Sequence, residues 1–255
     1  MINIDEIINY LRENHTEISI ELKPGASAEL IMQVEEIYKL KLPDDVRKFY
    51  EFTNGFELLD DHIFNIISLE DIIDNKTQYN DAYINIAEYL IYSDVWSLII
   101  DPADHNNYQI TNSDHTNNKE ITLTKSLADF LHHFIIGGLF EKEGLYHWYN
   151  ELLVEKLTSS PGNLAGTFYF EELFRITGRG PVMSGQITSG KLSASNLFWF
   201  ENDDYKTIID IESIELGRNA KGGFVGLMLS KYIHHSTEKK IKKLRGSTIN
   251  IYRFN

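Results

Sequence analysis

The chain has 255 residues, a formal net charge of −14 at pH 7 and no cysteine. Its length allows one large domain or two small ones, each able to bury a core. The lack of cysteine excludes a disulfide framework, a thiolate metal site and a cysteine nucleophile. Asp5 and Glu6 stand where a signal peptide needs basic residues, and no long apolar run follows, so we expect a soluble, cytoplasmic protein with no membrane partner.

The charge divides the chain into two parts. Residues 1–159 hold 29 Asp and Glu against 11 Lys and Arg, a formal charge of −18, whereas residues 160–255 hold 9 against 13, a charge of +4. This asymmetry indicates two parts with different partners. An acidic surface that only keeps a small domain in solution explains the same numbers.

Two amphipathic helices open the acidic part. Asn3 and Glu6 have the spacing of a capping box, in which each side chain accepts from the other residue's backbone N–H. Pro24 and Gly25 then break the chain, and Ser27 is a suitable N-cap for the second helix. Apolar residues recur at helical spacing after both caps, which predicts one buried face on each helix.

A third helix is predicted within residues 42–56, Leu-Pro-Asp-Asp-Val-Arg-Lys-Phe-Tyr-Glu-Phe-Thr-Asn-Gly-Phe. Pro43 suits the first helical position, where its missing N–H costs nothing. Asp44 and Asp45 follow in the first turn, at the positive end of the helix dipole. Asn54-Gly55 ends the helix, because either residue tolerates the left-handed conformation. The face predicted to be buried consists of Val46, Phe49, Tyr50 and Thr53.

The same fifteen residues carry a resemblance to a known group of proteins. Together with the Glu-rich helix before them (Val34-Glu-Glu-Ile37), they resemble the SUKH superfamily, which includes the Smi/Knr-type regulators of cell-wall assembly and many bacterial immunity proteins of polymorphic toxin systems. The resemblance runs to about residue 140. It implies an α+β domain that binds a partner protein and has no catalytic residues shared across the family. We therefore carry over a fold and a function class, but no active site.

The rest of the acidic part is predicted to be short strands closed by helices. Ser68 with Asp71 gives a capping signal for a short helix, and Ser126 gives another, for a helix that stops at Gly137-Gly138. The strands are predicted at 63–67, 89–92, 95–100, 108–111 and 121–124. An aromatic helix around 145–153 completes an α+β order.

Residues 158–163, Thr-Ser-Ser-Pro-Gly-Asn, are the clearest linker, and they divide the chain into domains 1–157 and 164–255. Beyond these residues, apolar side chains no longer recur at helical spacing. Strands are predicted at 168–170, 182–187, 197–200, 208–214, 224–229 and 249–254. Their spacing is typical of a small barrel or sandwich. Residues 236–245 are predicted to form a basic loop or a helical turn.

The second domain carries its own resemblance. Residues 170–190 begin with an acidic pair, continue with Gly178-Arg-Gly180 and end in a strand with two spaced glycines. This stretch is similar to the start of the second domain of elongation factor Tu and other translational GTPases. Further matches are Ile211-Glu-Ser-Ile214, Val225-Gly-Leu227 and Gly246. The resemblance implies an all-β, six-stranded antiparallel barrel. Because residues 1–157 do not resemble a GTPase domain, we expect no GTP hydrolysis.

One motif and one cluster point to chemistry that we do not expect. Gly185–Leu192 nearly fits a phosphate-binding loop, but Leu192 stands where a hydroxyl must reach magnesium, and strands are predicted where a helix is required. We therefore predict no nucleotide or other cofactor. An alternative metal site consists of Asp101, Asp104, His105, Asp114 and His115. Turn formation explains these residue types, and we predict no metal and no catalytic residue.

The leading interpretation is a non-catalytic immunity protein. We predict that the acidic domain binds and neutralises a cognate bacterial toxin, a nuclease, whose basic cleft it occupies in place of phosphate. Loops present side chains freely, so acids near turns are the best candidates for this contact. They are Glu57, Asp60, Asp61, Asp101 and Asp104. Asp44 and Asp45 are left out because the helix dipole explains them.

The alternative is an RNA- or translation-associated adaptor in which the barrel binds tRNA or a translation component. Basic side chains would hold phosphates while Phe198, Tyr232 and Tyr252 stack on bases. The basic candidates are Arg179, Lys239, Lys240, Lys242 and Lys243, with Arg245 beside them. A solvated charged segment explains this cluster as well.

Overall fold

The computed structural model describes residues 2–59, 63–76, 83–114, 119–201, 206–216, 224–230, 233 and 235–254. The chain divides into two compact units, Met1–Tyr149 and Asn150–Asn255. The first unit combines helices with an antiparallel sheet, and the second contains a closed barrel.

The first unit contains both helices and strands. Its described helices are α1 (Ile4–Asn14), α2 (Ala28–Tyr38), α3 (Asp44–Phe52), α4 (Leu69–Asp74), α5 (Leu127–Gly137) and α6 (Leu145–Ser159), the last of which crosses the unit boundary. Its described strands are β1 (Ile20–Leu22), β2 (Phe56–Leu58), β3 (Phe64–Ile66), β4 (Tyr83–Tyr89), β5 (Asp94–Asp101), β6 (Asp104–Asp114) and β7 (Lys119–Thr124). The strands form an antiparallel sheet in sequence order, from β1 to β7. The predicted α+β architecture is therefore confirmed.

The core of the first unit lies between this sheet and helices α3 and α5. Phe134 of α5 stacks on Phe64 of β3, with ring centroids 4.4 Å apart, and on Phe56 of β2 at 5.8 Å. Phe49 of α3 meets Phe56 edge-on at 6.5 Å, and Trp96 of β5 meets Phe64 at 5.6 Å. All five rings are buried, and burial of each contributes about 1.5–3 kcal/mol.

The predicted N-caps of α1, α2 and α5 are confirmed. The Asn3 N–H donates to Glu6 Oε2 at 2.9 Å, and the Glu6 N–H donates to Asn3 Oδ1 at 3.1 Å, so the capping box is complete. The Leu30 N–H donates to Ser27 Oγ at 3.2 Å, and Ser126 caps α5 in the same way. Each of these signals lies within four residues of sequence, which is why the sequence reveals them.

Helix α3 has the buried face that its sequence predicts, with Val46 and Phe49 fully buried. Pro43 lies one residue earlier than predicted, at the N-cap, because its ψ of 148° is extended rather than helical. Gly55 has a left-handed φ of +85°, and a Cβ there would lie 2.3 Å from the carbonyl oxygen of Ile66. Glycine is therefore required at the end of this segment both by conformation and by space.

The strand predicted at 89–92 is wrong. Strand β4 ends at Tyr89, which pairs with Asp94 of β5, so the residues between them must form the connection. Leu90, Ile91 and Tyr92 all take left-handed φ values, of 51°, 53° and 61°. Leu90 and Ile91 are 44% and 75% exposed, so the apolar run that indicated a buried strand lies at the surface.

The second unit is built around a barrel. Its described elements are the 3₁₀ turn Pro161–Asn163, β8 (Leu164–Ile176), β9 (Gly180–Gly190), β10 (Leu197–Glu201), β11 (Lys206–Leu216), β12 (Phe224–Leu229), α7 (His235–Lys242) and β13 (Thr248–Tyr252). The strands close in the order β10-β11-β12-β9-β8-β13 around fully buried Phe168, Phe170 and Phe198. The predicted six-stranded antiparallel barrel is confirmed, and the alternative at residues 236–245 is decided in favour of a helix.

The division of the chain into two domains at residues 158–163 stays a prediction. Helix α6 covers the first two of these residues, and the Asn163 side chain donates to the Lys156 carbonyl at 3.1 Å. We propose that residues 1–157 and 164–255 fold separately, so each fragment should show a cooperative urea transition, and limited proteolysis of the whole chain should cut first near the linker. A fragment without a transition would contradict this division.

Gly185 and Gly190 are explained by close packing within the barrel. A Cβ on Gly185 would lie 2.0 Å from the carbonyl oxygen of Tyr169, and a Cβ on Gly190 would lie 2.1 Å from that of Ala165. Strand β9 ends at Gly190 and no helix follows it in the described chain before β10, while the Leu192 side chain is buried. The segment therefore lacks the strand-to-helix turn that holds a phosphate.

We expect Gly185→Ala to destabilise the barrel by about 2–3 kcal/mol, because strands β8 and β9 must part for the added methyl group. Lys191→Ala should change the free energy of unfolding by less than about 0.5 kcal/mol, since Lys191 is exposed. Urea denaturation measures both effects. Calorimetry with GTP or ATP and magnesium should detect no binding, and nucleotide binding that Lys191→Ala abolishes would contradict this account of the segment.

Candidate functional site

The predicted acidic contacts that the structure describes lie on separate strands of the first unit's sheet. Glu57 is in β2, in register with Glu21 of β1. Lys23 Nζ lies 3.0 Å from Glu57 Oε1, so a lysine already matches part of this charge. Asp60 and Asp61 lie outside the described residues. Of the predicted contacts near β2, Glu57 alone can therefore be placed.

Asp101 and Asp104 pair across the β5–β6 hairpin, which β3 and β4 separate from β2. The Asp101 carboxylate accepts hydrogen bonds from the Ala103 N–H at 2.9 Å and from Asn107 Nδ2 at 3.0 Å. These bonds, that of Ala103 first, hold the pKa of Asp101 below its usual range, so the group stays charged in mildly acidic solution. Asp104 Oδ1 accepts from the Asn106 N–H at 3.1 Å. The turn interpretation of these two acids is confirmed.

The alternative metal cluster can be placed only in part. His105 Nε2 lies 3.4 Å from Asp44 Oδ1, and not between Asp101 and Asp104. The side chain of Asp114 and the whole of His115 lie outside the described residues. Within the residues that the structure describes, no group of three or more His, Asp and Glu side chains is arranged to hold a metal ion.

The hairpin is held against the start of α3 by contacts that the sequence did not reveal. The Asp44 N–H donates to Asn106 Oδ1 at 2.9 Å, and Asn106 Nδ2 donates back to Asp44 Oδ2 at 2.9 Å. The Tyr108 hydroxyl donates to Asp45 Oδ2 and accepts from the Leu127 N–H at 2.6 Å. Four hydrogen bonds thus fix the hairpin, α3 and α5 relative to one another.

Asp44 therefore belongs to the hairpin surface, although it was left out of the predicted contacts. Its side chain is 77% exposed. Its pKa is lowered, first by the Asn106 amide and then by His105. We call Asp44, Asp101 and Asp104 the hairpin acids. Asp44 and Asn106 are 62 positions apart, so no local pattern could have indicated their contact.

A groove of about 520 Å³ lies beside the hairpin acids, and Asp101 is among the residues that line it. Lys39 and Lys41 line it as well, so the groove carries charges of both signs. Glu35, also in its wall, is paired with Arg47. This mixture makes the groove a poorer site for a basic partner than the exposed hairpin acids themselves.

The basic candidates of the second unit lie on α7 and just after it. Lys239, Lys242, Lys243 and Arg245 are exposed, and Lys240 is half-buried. Arg179, in the turn between β8 and β9, is ion-paired with Glu215 of β11, so its charge is already matched. Glu238 of α7 is buried and accepts from Arg175 Nε at 3.1 Å, which fixes α7 on β8. The two residues are 63 positions apart, and the sequence did not indicate this pair.

The aromatic part of the RNA-binding alternative is wrong for two of its three residues. Phe198 is fully buried in the barrel core, and Tyr252 is 8% exposed, so neither ring can stack on a base. Tyr232 lies outside the described residues. The lysines of α7 remain as candidates for holding phosphates.

Comparison with known proteins finds a family model that matches most of the first unit. The model of the SMI1 / KNR4 family (SUKH-1) matches residues 25–133, which run from the start of α2 into α5. The resemblance carried by residues 42–56 is thereby confirmed, and this family is associated with immunity proteins. No curated protein sequence matches the chain at a significant level. Among the residues described, none of the helices has the length and apolar character needed to cross a membrane.

Proposed function

We propose that this chain is an immunity protein whose N-terminal unit binds a cognate bacterial toxin and blocks it without chemistry. The observation that carries the proposal is the SUKH-1 match over residues 25–133, because that family is associated with immunity proteins, which are generally non-catalytic. The formal charge of −18 over residues 1–159 supports a basic target.

A nuclease is the toxin class that fits this charge best. A nuclease must hold a phosphate backbone, so its cleft carries Lys and Arg side chains. Carboxylates that enter the cleft take the place of phosphates and exclude nucleic acid. Asp44 and Asp104 are exposed for such a contact, and the lowered pKa of Asp101 keeps it charged. The complex would form in the cytoplasm, where an immunity protein of this kind would meet an incoming toxin.

The proposal is tested by sequencing the genes next to this one and co-expressing the chain with any toxin gene found there. We expect the chain to restore growth of cells that produce the toxin, to co-purify with it, and to suppress its cleavage of nucleic acid in a purified assay. The barrel fragment 164–255 serves as a control that lacks the matched domain. If the folded chain neither binds this toxin nor protects the cells, the proposal is wrong.

An RNA-binding adaptor is the second candidate, favoured by the exposed lysines at the end of α7. It predicts that the full chain binds tRNA with an affinity that falls steeply between about 50 and 200 mM salt. It also predicts that Lys242→Ala with Lys243→Ala weakens this binding, while toxin protection is absent. Protection together with undetectable tRNA binding would favour the immunity function.

A further inference from the structure

A cavity of about 310 Å³ opens on the face of the first unit's sheet that points away from the aromatic core. Its floor includes Ser97, which alternates along β5 with the core residues Trp96 and Leu98 and so points to the opposite face. Asn85 of β4 is the register partner of Ser97 and accepts its hydroxyl hydrogen bond at 2.8 Å. The floor is therefore polar and already hydrogen-bonded.

The walls of this cavity carry negative charge and tyrosine rings. The carboxylates are Asp71 of α4 and Glu120 of β7, and the rings are Tyr38, Tyr83 and Tyr92. Among the described residues that line the cavity, none is Lys, Arg or His. This sets the cavity apart from the groove beside the hairpin acids, which contains two lysines.

Hydroxyl groups, rather than cations, are the partners of both carboxylates. Asp71 Oδ2 accepts from Ser68 Oγ at 2.5 Å, and Glu120 accepts from the Tyr83 hydroxyl. Within the part of the chain that the structure describes, neither forms an ion pair. Each hydrogen bond leaves lone pairs on the carboxylate and its full negative charge, so a cation that enters the cavity meets two unmatched charges.

The tyrosines supply faces that attract a cation. Lys76 Nζ already lies 4.7 Å from the ring centre of Tyr38, so the rings of Tyr83 and Tyr92 are the ones offered to an incoming cation. Burial and then Glu120 raise the pKa of Tyr83, and burial, Glu88 and Asp71 raise that of Tyr92. Both phenols are therefore neutral at physiological pH. The residues that raise the two values also show that negative charge surrounds these rings.

An exposed apolar turn leads to Tyr92, one of the residues that line the cavity. Tyr92 is the third residue of the left-handed segment that begins with Leu90 and Ile91, and it accepts from Asn75 Nδ2 at 2.8 Å. A left-handed isoleucine is strained, and such strain concentrates at binding sites. Leu90 and Ile91 expose apolar surface that a bound partner would cover.

We propose that this cavity binds the guanidinium group of an arginine side chain from the partner protein, with Asp71 and Glu120 as its anionic partners. The planar, always charged guanidinium suits both carboxylate pairing and stacking on tyrosine rings. The volume lies near the lower end of small-molecule sites, about 300–1,000 Å³, as expected for one side chain. The inference rests on the proposed function, since the arginine is assigned to the toxin.

The test uses the peptide acetyl-Gly-Arg-Gly-amide and the full, ¹⁵N-labelled chain. We expect saturable shifts of the Asn85 and Ser97 amide resonances with this peptide, and none with the citrulline peptide, which has the same shape without the charge. Asp71→Asn and Glu120→Gln keep an acceptor for the neighbouring hydroxyl, and each should weaken binding about tenfold through the loss of one charge-assisted hydrogen bond. Glu21→Gln, at an exposed position of β1, is the matched control and should leave the affinity for the arginine peptide unchanged.

Two results would overturn the inference: equal shifts with the arginine and citrulline peptides, or unchanged affinity in both isosteric variants. A toxin-protection assay distinguishes failure of the cavity inference from failure of the proposed function. If the double variant of Asp71 and Glu120, folded by its urea transition, protects cells as well as the original chain, the cavity inference is wrong and the immunity function stands. If the peptide binds as expected but the chain neither binds nor blocks a toxin, the guanidinium site stands and the proposed function is wrong.

Discussion

Replacing Phe49 with Asp should unfold the first unit. Phe49 is fully buried, and its ring lies edge-on to Tyr50 at 5.6 Å and to Phe56 at 6.5 Å. Loss of the ring alone costs about 3–5 kcal/mol. The buried carboxylate adds the cost of an unpaired charge or of its protonation. Because whole domains are stable by only about 5–15 kcal/mol, this one change can remove most of the stability of the unit.

Hydrogen exchange with mass spectrometry resolves this effect along the chain. In Phe49→Asp we expect amides of residues 1–149 to lose protection while those of residues 150–255 keep it, if the two domains fold separately as proposed. Glu51→Asp, on the same helix but exposed, is the control and should change the unfolding free energy by less than about 0.5 kcal/mol. Full protection of residues 1–149 in Phe49→Asp would show that the core has been placed wrongly.

Local signals explain which parts of the fold could be predicted. The capping pair Asn3 and Glu6 and the caps Ser27 and Ser126 are encoded within a few residues, and the structure has each of them. The predicted end of α3 at Asn54-Gly55 is wrong, because the helix ends at Phe52 and Thr53 is already extended, with a φ of −144°. The six strands of the barrel were predicted from apolar runs between turns. Their closure into one barrel was predicted only from the resemblance to the second domain of translational GTPases. Closure pairs β10 with β13, far apart in sequence, so no local pattern encodes it.

The errors have an equally physical origin. Leu90, Ile91 and Tyr92 have the composition of a buried strand, and nothing local indicates that three non-glycine residues take left-handed conformations. The hairpin contact of Asp44 with Asn106 and the buried pair of Glu238 with Arg175 join residues more than 60 positions apart. Such contacts depend on the tertiary fold, which single-sequence patterns do not contain.

In the candidate site, too, local features could be predicted from the sequence and long-range arrangements could not. Acids near turns could be found from residue types, and Asp101 and Asp104 do form a turn. Their separation from Glu57 by two strands could not be found, since it depends on strand order. The tyrosine-lined cavity was missed entirely, because Asp71 of α4 and Glu120 of β7 line one cavity only in the folded unit. A surface assembled in this way leaves no spacing signal in the sequence.

Neutralising the five predicted acids should slow toxin association about tenfold at low salt. The changes are Glu57→Gln, Asp60→Asn, Asp61→Asn, Asp101→Asn and Asp104→Asn. Asn is chosen at 101 and 104 because its side chain can keep the turn hydrogen bonds that Asp101 and Asp104 accept, which Lys would lose. Electrostatic steering raises association rates by about 10–10³-fold. Removal of five negative charges from the contact face should therefore remove part of this rate enhancement.

The salt dependence identifies the cause. The screening length is about 30 Å at 0.01 M salt and about 8 Å at 0.15 M, so the difference between the original chain and the variant should shrink as salt rises. Dissociation should change less than association, because attraction at long range acts on the encounter. Stopped-flow or surface-plasmon measurements at several salt concentrations give both rates.

The decisive control carries the same change in net charge elsewhere. Five exposed acids outside the predicted contacts are available for neutralisation to Gln: Glu13, Glu17, Glu51, Glu141 and Glu143. If the acidic face is correctly placed, this control should slow association by less than about twofold, since each lost charge then lies farther from the contact. Equal slowing by both variants would mean that net charge alone attracts the toxin. If neither variant slows association, the toxin-binding surface lies at the tyrosine-lined cavity or on the barrel. The Asp71 and Glu120 variants then distinguish these two locations.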